Sequence, residues 1–407
     1  MASLSKKLGI GFLVTLGVVA LLATAGYTWL RNSEWWVSVT LFHDDYRAEN
    51  FRSFHTLFPA ASIDPAAEPR ELDVGQETLP DTYDFEGQSL SLSEFIERTE
   101  TTGLLVLHGD RVVHETYYQD YQPSDVVTSF SMAKSVVATL VGLAIEDGHI
   151  ASVQDPITDY VPQLIGSGDE GVSIHDVLTM SSGVAFNENY EDFFSDVMWL
   201  PIRIFGFQEP AADILAELER ERDPGTYNNY VSSDSLALGL LVAETTGESV
   251  TDYASRRLWQ PGGMADMAHW NTDHHGQALT HAFFSATLQD YARLGLLYRD
   301  QGAYNGEQVI PAEWVEAAVN PTEPHLQPGD NPDSFWTFGY GYQWWLPEDP
   351  QGDFTAIGIW GQYIYVHPRN DVVIVKTSTD YWFDENDHQS IAAFRAIADH
   401  VASNATN

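Results

Sequence analysis

The hydrophobic period of this chain changes twice after residue 100, and the order of those periods restricts the folds open to it. Gly103–His108 and Arg111–Tyr118 read as two strands around His108-Gly109-Asp110, the pattern of a β-hairpin. From Phe130 the period becomes helical: Val136, Val137, Leu140, Val141, Ala144 and Ile145 recur at helical spacing, and Gly148 ends the run. A mostly helical stretch follows to about residue 298, including Leu236–Thr246 closed by Gly247. Strand patterns then return in Phe338–Leu346, Phe354–Ile359, Gln362–His367 and Asp371–Thr377, the last two joined at Pro368-Arg369-Asn370. Ser93–Thr101 before the set and His388–Ala402 after it read as helices. The expected fold class is therefore α/β of the α+β type. An antiparallel sheet is flanked by N- and C-terminal helices, a mostly helical subdomain is inserted, and a site is expected at the seam between the two layers.

Ahead of this region, Lys6 and Lys7 precede an apolar run, Leu8–Leu30, whose 23 positions match a transmembrane helix. At about 1.5 Å per residue such a run crosses a hydrocarbon core of roughly 30 Å. Tyr27, Trp29, Trp35 and Trp36 fall where an interfacial aromatic belt would lie, and the lysines favour a cytoplasmic N-terminus. The rest of the chain is then extracytoplasmic. Ala23-Thr24-Ala25 also fits a small-x-small cleavage site, so secretion after removal of a signal peptide is the competing reading. Residues 1–36 are expected as the anchor or signal peptide. Residues 37–90, without a period and carrying Pro59, Pro65, Pro69 and Pro80, are expected as an extended connector, and 91–405 as the folded domain.

Composition removes several function classes. Lys+Arg number 19 against 59 Asp+Glu, a net charge of −40, and that field repels a phosphate backbone, so no nucleic-acid partner is expected. Cysteine is absent, which excludes disulfides, thiolate metal sites and thiol nucleophiles. His274-His275, with His269 and His281 nearby, show no metal-binding spacing, and no phosphate-binding glycine loop is present. No metal and no cofactor is expected.

What remains is Ser131-Met132-Ala133-Lys134, at the start of the predicted buried helix. A serine hydroxyl needs a base to take its proton, and a lysine buried at a helix N-terminus is pushed toward its neutral form. The spacing puts both on one helical face. Ser3-Leu4-Ser5-Lys6 has the same spacing without that context. A second piece is Pro224-Gly225-Thr226-Tyr227-Asn228-Asn229-Tyr230-Val231-Ser232, whose Pro-Gly turn leaves Tyr230, or its neighbour Tyr227, in a loop before a helix. A third is Ala356-Ile357-Gly358-Ile359-Trp360-Gly361-Gln362. Its glycines admit a second backbone, as an oxyanion hole or a β-bulge requires.

In this order the pieces resemble the serine β-lactamase and penicillin-binding-protein superfamily, its class C and esterase branch, and within that the 6-aminohexanoate-dimer hydrolase (nylon-oligomer hydrolase) subgroup. Carrying the resemblance are Ser129 to Ser135, Leu178 to Val184, Asn187-Glu188-Asn189-Tyr190, Tyr230-Val231-Ser232, Ile357 to Gln362 and Val373 to Lys376. The resemblance implies a β-lactamase/transpeptidase-like fold, with Ser131 as acylated nucleophile, Lys134 as its partner and Tyr230 as proton shuttle. It implies an oxyanion hole from the N–H groups of Ser131 and Ile359, and a substrate site at Tyr190, Ser232, His281, Gly358 and Trp360, Tyr190 meeting the scissile amide nitrogen. It implies a small-molecule amide or ester as substrate. The usual Lys-Thr-Gly or His-x-Gly motif is replaced by Ala356-Ile357-Gly358, without a cation, so weak β-lactamase activity is expected. Lys376-Thr377-Ser378 imitates that motif one strand later. The expected function is cleavage of linear amides or esters through an acyl-enzyme. A short-chain carboxylesterase, or a catalytically silent relative that binds peptidoglycan fragments or a membrane partner, are the alternatives.

Overall fold

The computed structural model describes residues 2–405, with side chains for residues 13–404. Its centre is an eight-stranded sheet in the order Gly339–Tyr340, Trp345–Leu346, Phe354–Gly358, Gln362–His367, Val372–Ser378, Thr101–His108, Arg111–Tyr117 and Asp73–Val74. All neighbours run antiparallel except the last pair, which is parallel. The early hairpin and the late strands meet in mid-sheet, where Val375 faces Leu105. Every residue of Val372–Ser378 is buried, as expected of a central strand covered on both faces.

The period of two decides what covers each face. Ile364 and Val373 point to one side, where Gly295 lets the helix Leu288–Arg299 come close; a Cβ there would lie 2.5 Å from Val373 Cγ1. Tyr363 and Tyr365 point to the other, against Phe394 of the C-terminal helix Phe383–Ala405. That helix starts five residues earlier than its sequence pattern suggests. The helix Met132–Glu146 is buried from Met132 through Ala144, so it runs through the interior rather than lying on it. It packs on Ser232–Thr246, the main helix of the inserted region.

One expectation needs correction. Residues 37–90 are not an extended connector. They complete the helix Glu34–Thr40, then form the helix Arg47–Leu57, the strand Ala60–Ile63 paired with Ala268–Asn271, and the hairpin Thr82–Phe85/Gln88–Ser91. Phe51 and Phe54 are wholly buried. The elements are too short to show a period, and their apolar residues are spaced to fit the inserted region rather than one another. The inserted region is mostly helix, as expected, and its strands Ala268–Asn271 and Phe284–Ala286 join Ala60–Ile63 and Val127–Thr128 in a second, four-stranded sheet.

The N-terminal helix is continuous over Ala2–Arg31. Its Leu13–Arg31 segment, 19 residues of mean hydropathy 1.8 with none buried, is long and apolar enough to cross a membrane. The side chains of Lys6 and Lys7 lie outside the described residues.

Candidate active site

Ser131 is the N-cap of the helix Met132–Glu146, and the Lys134 amide closes the first turn on the Ser131 carbonyl at 3.0 Å. The residue before it, Phe130, has φ +44, a left-handed conformation that costs a non-glycine residue energy unless its surroundings enforce it. The enforcement is aromatic. Phe130 is 1% exposed, and its ring meets those of Phe42, Phe51, Phe54 and Phe283.

Across the site, the strand Phe354–Gly358 approaches so closely that a Cβ on Gly358 would lie 2.3 Å from the Ser129 carbonyl oxygen and 3.1 Å from the Ser131 nitrogen. Only glycine permits that approach, and it brings Ile359 and Ser131 to the wall of one cavity. Trp360 follows in the left-handed region, φ +65. Phe42 stacks on its ring at 5.5 Å, Phe51 meets its edge, and the Arg47 guanidinium lies 5.1 Å from its centroid. The same two helical segments, 34–40 with the turn after it and 47–57, thus brace both strained residues flanking Ser131 and Ile359.

Lys134 is 1% exposed and its Nζ donates to three oxygens: Ser131 Oγ at 3.0 Å, Ser232 Oγ at 3.2 Å and the His281 carbonyl at 2.6 Å. Burial lowers its pKa from 10.5 to about 8, against a smaller raising effect of the Glu188 carboxylate. The Tyr230 ring lies 4.9 Å from the ammonium, and Tyr230 shares the wall of one cavity with Ser131. Burial, reinforced by Glu188, holds the phenol well above its ordinary pKa, so Tyr230 is a neutral phenol at physiological pH. Tyr190 is also a neutral phenol, for the same first reason. It donates to Glu188 Oε1 at 2.6 Å and lines the cavity with Ser131.

A cavity of about 210 Å³ opens on Ser131, walled by Tyr190, Tyr230, Trp345, Ile357, Ile359 and Asp387 among others. Gly358 makes the approach behind that wall, and Trp360 lies outside it, lining a neighbouring cavity with Tyr190. Ser232 and His281 line a small cavity of about 30 Å³ that also opens on Ser131, Tyr190 and Ile359. The Ser232 hydroxyl accepts from Lys134 and donates to Glu188 Oε1 at 2.6 Å, and its amide donates to Glu188 Oε2 at 2.8 Å. His281 is 3% exposed, with Nδ1 buried and unpaired among the described residues. Burial and then Lys134 push its pKa well below 6.5, so the ring is neutral. His274 pairs with Glu34 and His269 stacks on His55, so these histidines face different partners.

Sequence reasoning missed Glu188, although it stood inside a quoted motif, because a glutamate in an acidic chain carries no signal by itself. Asp384 and Asp387 on the cavity wall were missed for the same reason. Phe42 and Phe51 gave no signal, lying in a segment without periodicity.

Comparison with known proteins extends this geometry. The Beta-lactamase family profile matches residues 92–396. The 6-aminohexanoate-dimer hydrolase of Paenarthrobacter ureafaciens is 32% identical over 343 residues, covering 81% of this chain and 84% of that protein. A Bacillus anthracis structure to which the same name is provisionally attached superposes with a TM-score of 0.80 at 22% identity, covering 89% of this chain and 96% of the other. A class C β-lactamase from Rhodobacter sphaeroides shares the fold at a TM-score of 0.54 and 17% identity, over 76% of this chain and 97% of its own. With a serine and a buried lysine in hydrogen-bond contact at the seam of that fold, the chain belongs to the beta-lactamase family and is a serine hydrolase.

Proposed function

We propose that this hydrolase cleaves linear amides or esters through an acyl-enzyme on Ser131, in the manner of a 6-aminohexanoate-dimer hydrolase rather than of a β-lactamase. The observation that carries the reading is Lys134 Nζ, buried, held to about 8 and 3.0 Å from Ser131 Oγ. In its neutral form Lys134 takes the Ser131 proton as Oγ bonds to the substrate carbonyl carbon. The carbonyl oxygen, now an anion, is received by the Ser131 and Ile359 N–H groups, each such donor typically contributing about 3–4 kcal/mol. Tyr230, a neutral phenol, relays a proton to the leaving amine or alkoxide, and Tyr190 donates to an amide nitrogen as the C–N bond breaks. Water then adds to the acyl carbon, Lys134 accepts its proton through Tyr230 and gives a proton back to Ser131 Oγ as the Oγ–acyl bond breaks and the acid is released.

The cavity favours neutral or cationic substrates. Asp384 lines it beside Asp387, whose carboxyl burial pushes up to about 7, and Ala356-Ile357-Gly358 offers no cation to a β-lactam carboxylate. The missing charge-assisted contact is worth roughly 1.5–3 kcal/mol. The Leu13–Arg31 helix is read as an uncleaved anchor with the hydrolase domain outside the cytoplasm.

Intact-protein mass after brief exposure of the full chain to an activated short-chain ester tests the reading, beside Ser131→Ala. A single acyl adduct confined to the unmutated protein is expected. No adduct from folded protein would transfer the weight to a silent binding relative. Rates on an ester and its matched amide then separate an esterase from an amidase.

A further inference from the structure

We infer that the rim of the active site is a membrane-docking surface: the mouth of the cavity rests on the lipid interface to which the N-terminal helix leads. The inference rests on the anchor reading above and goes beyond it by assigning which face of the domain meets lipid.

Two aromatic groups stand at that mouth. On one side Phe193 and Phe194 contact each other at 5.3 Å, Phe193 meets Trp199 at 5.7 Å, and Trp199 meets Phe207 at 6.4 Å. On the other, Tyr381 meets Trp360 at 5.7 Å and Trp382 at 5.1 Å. These rings are not covered: Phe194 is 80% exposed, Trp382 59%, Phe207 57% and Tyr381 56%. Between them lies a cavity of about 410 Å³ lined by Tyr190, Glu191, Met198, Trp360, Tyr381 and Trp382, and Tyr190 also lines the cavity on Ser131. Two groups of exposed large rings flanking a cavity mark a surface built for a partner.

The chain itself names the partner. The apolar helix ends at Arg31, and only Asn32 and Ser33 separate it from the helix Glu34–Thr40. That second helix packs on the 202–206 turn, with the Trp35 ring so close to Gly206 that a Cβ there would lie 3.0 Å from it. Phe207 is the next residue. Trp35 is only four residues past Arg31, about one helical turn, so the Phe207 side of the patch stands close to the point where Leu13–Arg31 would leave the bilayer. Tryptophan and tyrosine rings are favoured at this depth, apolar body inward and polar edge to the headgroups. A site so placed receives substrates that partition into the interface.

Glu191, Asp192, Asp384 and Glu385 stand beside the rings, so the surface fits neutral headgroups, or anionic ones only where salt screens the charge. The test uses the full-length chain in phosphatidylcholine nanodiscs at high salt. Because the chain has no cysteine, Phe194→Cys, Phe207→Cys and, as reference, Val74→Cys on the far edge of the sheet each take one fluorescent label. Labels at 194 and 207 are expected to shift to the blue and be quenched by doxyl lipid, and the label at 74 by aqueous iodide alone. Labels at 194 and 207 as open to iodide as at 74 would overturn the docking face. Shielding from both quenchers would also overturn it, assigning the patch to a second copy of the chain. Intact mass and flotation with the discs are read on the same samples. A cleaved, non-floating chain would show that the anchor reading had failed, which a floating chain with iodide-open labels would not.

Discussion

Lys134 and Lys376 are chemically identical, each 1% exposed, each with its pKa lowered from 10.5 to about 8 by burial. Their surroundings differ. Lys134 donates to three oxygens, one of them the hydroxyl of Ser131. Lys376 has no hydrogen-bond partner among the described residues and lies 5.8 Å from the ring centroids of both Phe95 and Tyr363, with Asp380 and Asp387 acting on it from further away. A lowered lysine pKa therefore reports burial, which both share. Chemistry requires the acceptor geometry, which only Lys134 has. The imitation motif Lys376-Thr377-Ser378 fails for a related reason: Lys376 faces Tyr363, which faces Ile357, so it is one strand removed from the cavity wall.

The largest expected effect separates the two lysines outright. Ser131→Ala and Lys134→Met should each lower turnover by roughly 10³-fold or more, in the range of lost nucleophile or general-base function. Lys376→Met should leave kcat near the unmutated value, and a comparable loss there would erase the distinction. Next comes the brace behind the nucleophile. Phe51→Ala removes a wholly buried ring and should cost about 3–5 kcal/mol of stability in denaturant unfolding. In the fraction that remains folded, kcat should fall while KM changes less, because Phe130 and Trp360 lose a common support.

A smaller effect is a gain. Below pH 8 the folded chain carries a protonated Lys376 that burial disfavours, while the unfolded side chain keeps its proton to about 10.5. Lys376→Met should then stabilise the protein by roughly 1–3 kcal/mol at pH 6. The gain should fade as pH rises from 8 to 10.5, where the unmutated chain sheds the cost itself; a gain independent of pH would assign it to packing. The smallest effect concerns Lys134. Its neutral form is the base, so kcat/KM should rise with pH about a midpoint near 8. Glu188 favours the charged form, so Glu188→Gln should move that midpoint to lower pH; a move to higher pH would mean that its bonds to Ser232 and Tyr190 outweigh its charge.

Legibility in the sequence followed the range of each interaction. The hairpin, the buried helix and the late strands were readable because their periods run over six or more residues. Ser131 and Lys134 were readable because three residues on a helix place them on one face. Tyr230 and the stretch around Ile359 stood out as loop and glycine features, but their roles, and Tyr190 altogether, were reached only through resemblance, since the distances joining them to Ser131 cross about 60 to 230 positions of chain. Residues 37–90 were misjudged because their short elements satisfy partners far along the sequence, Phe51 against Phe130 and Ala60 against Asn271. Glu188 passed unnoticed because its value lies in three hydrogen bonds that no local pattern encodes.

By itself, then, the amino-acid sequence determined the exclusion of thiol chemistry, the order of strand and helix, and the pairing of a serine with a lysine one helical turn apart. These follow from composition and from dihedral periods set within a few residues. Only the tertiary structure decided which buried lysine has an acceptor, what holds Phe130 and Trp360 in left-handed conformations, and which face carries the open rings. Each of those depends on atoms brought within 3 to 6 Å from distant segments, and that proximity is a property of packing rather than of any stretch of chain.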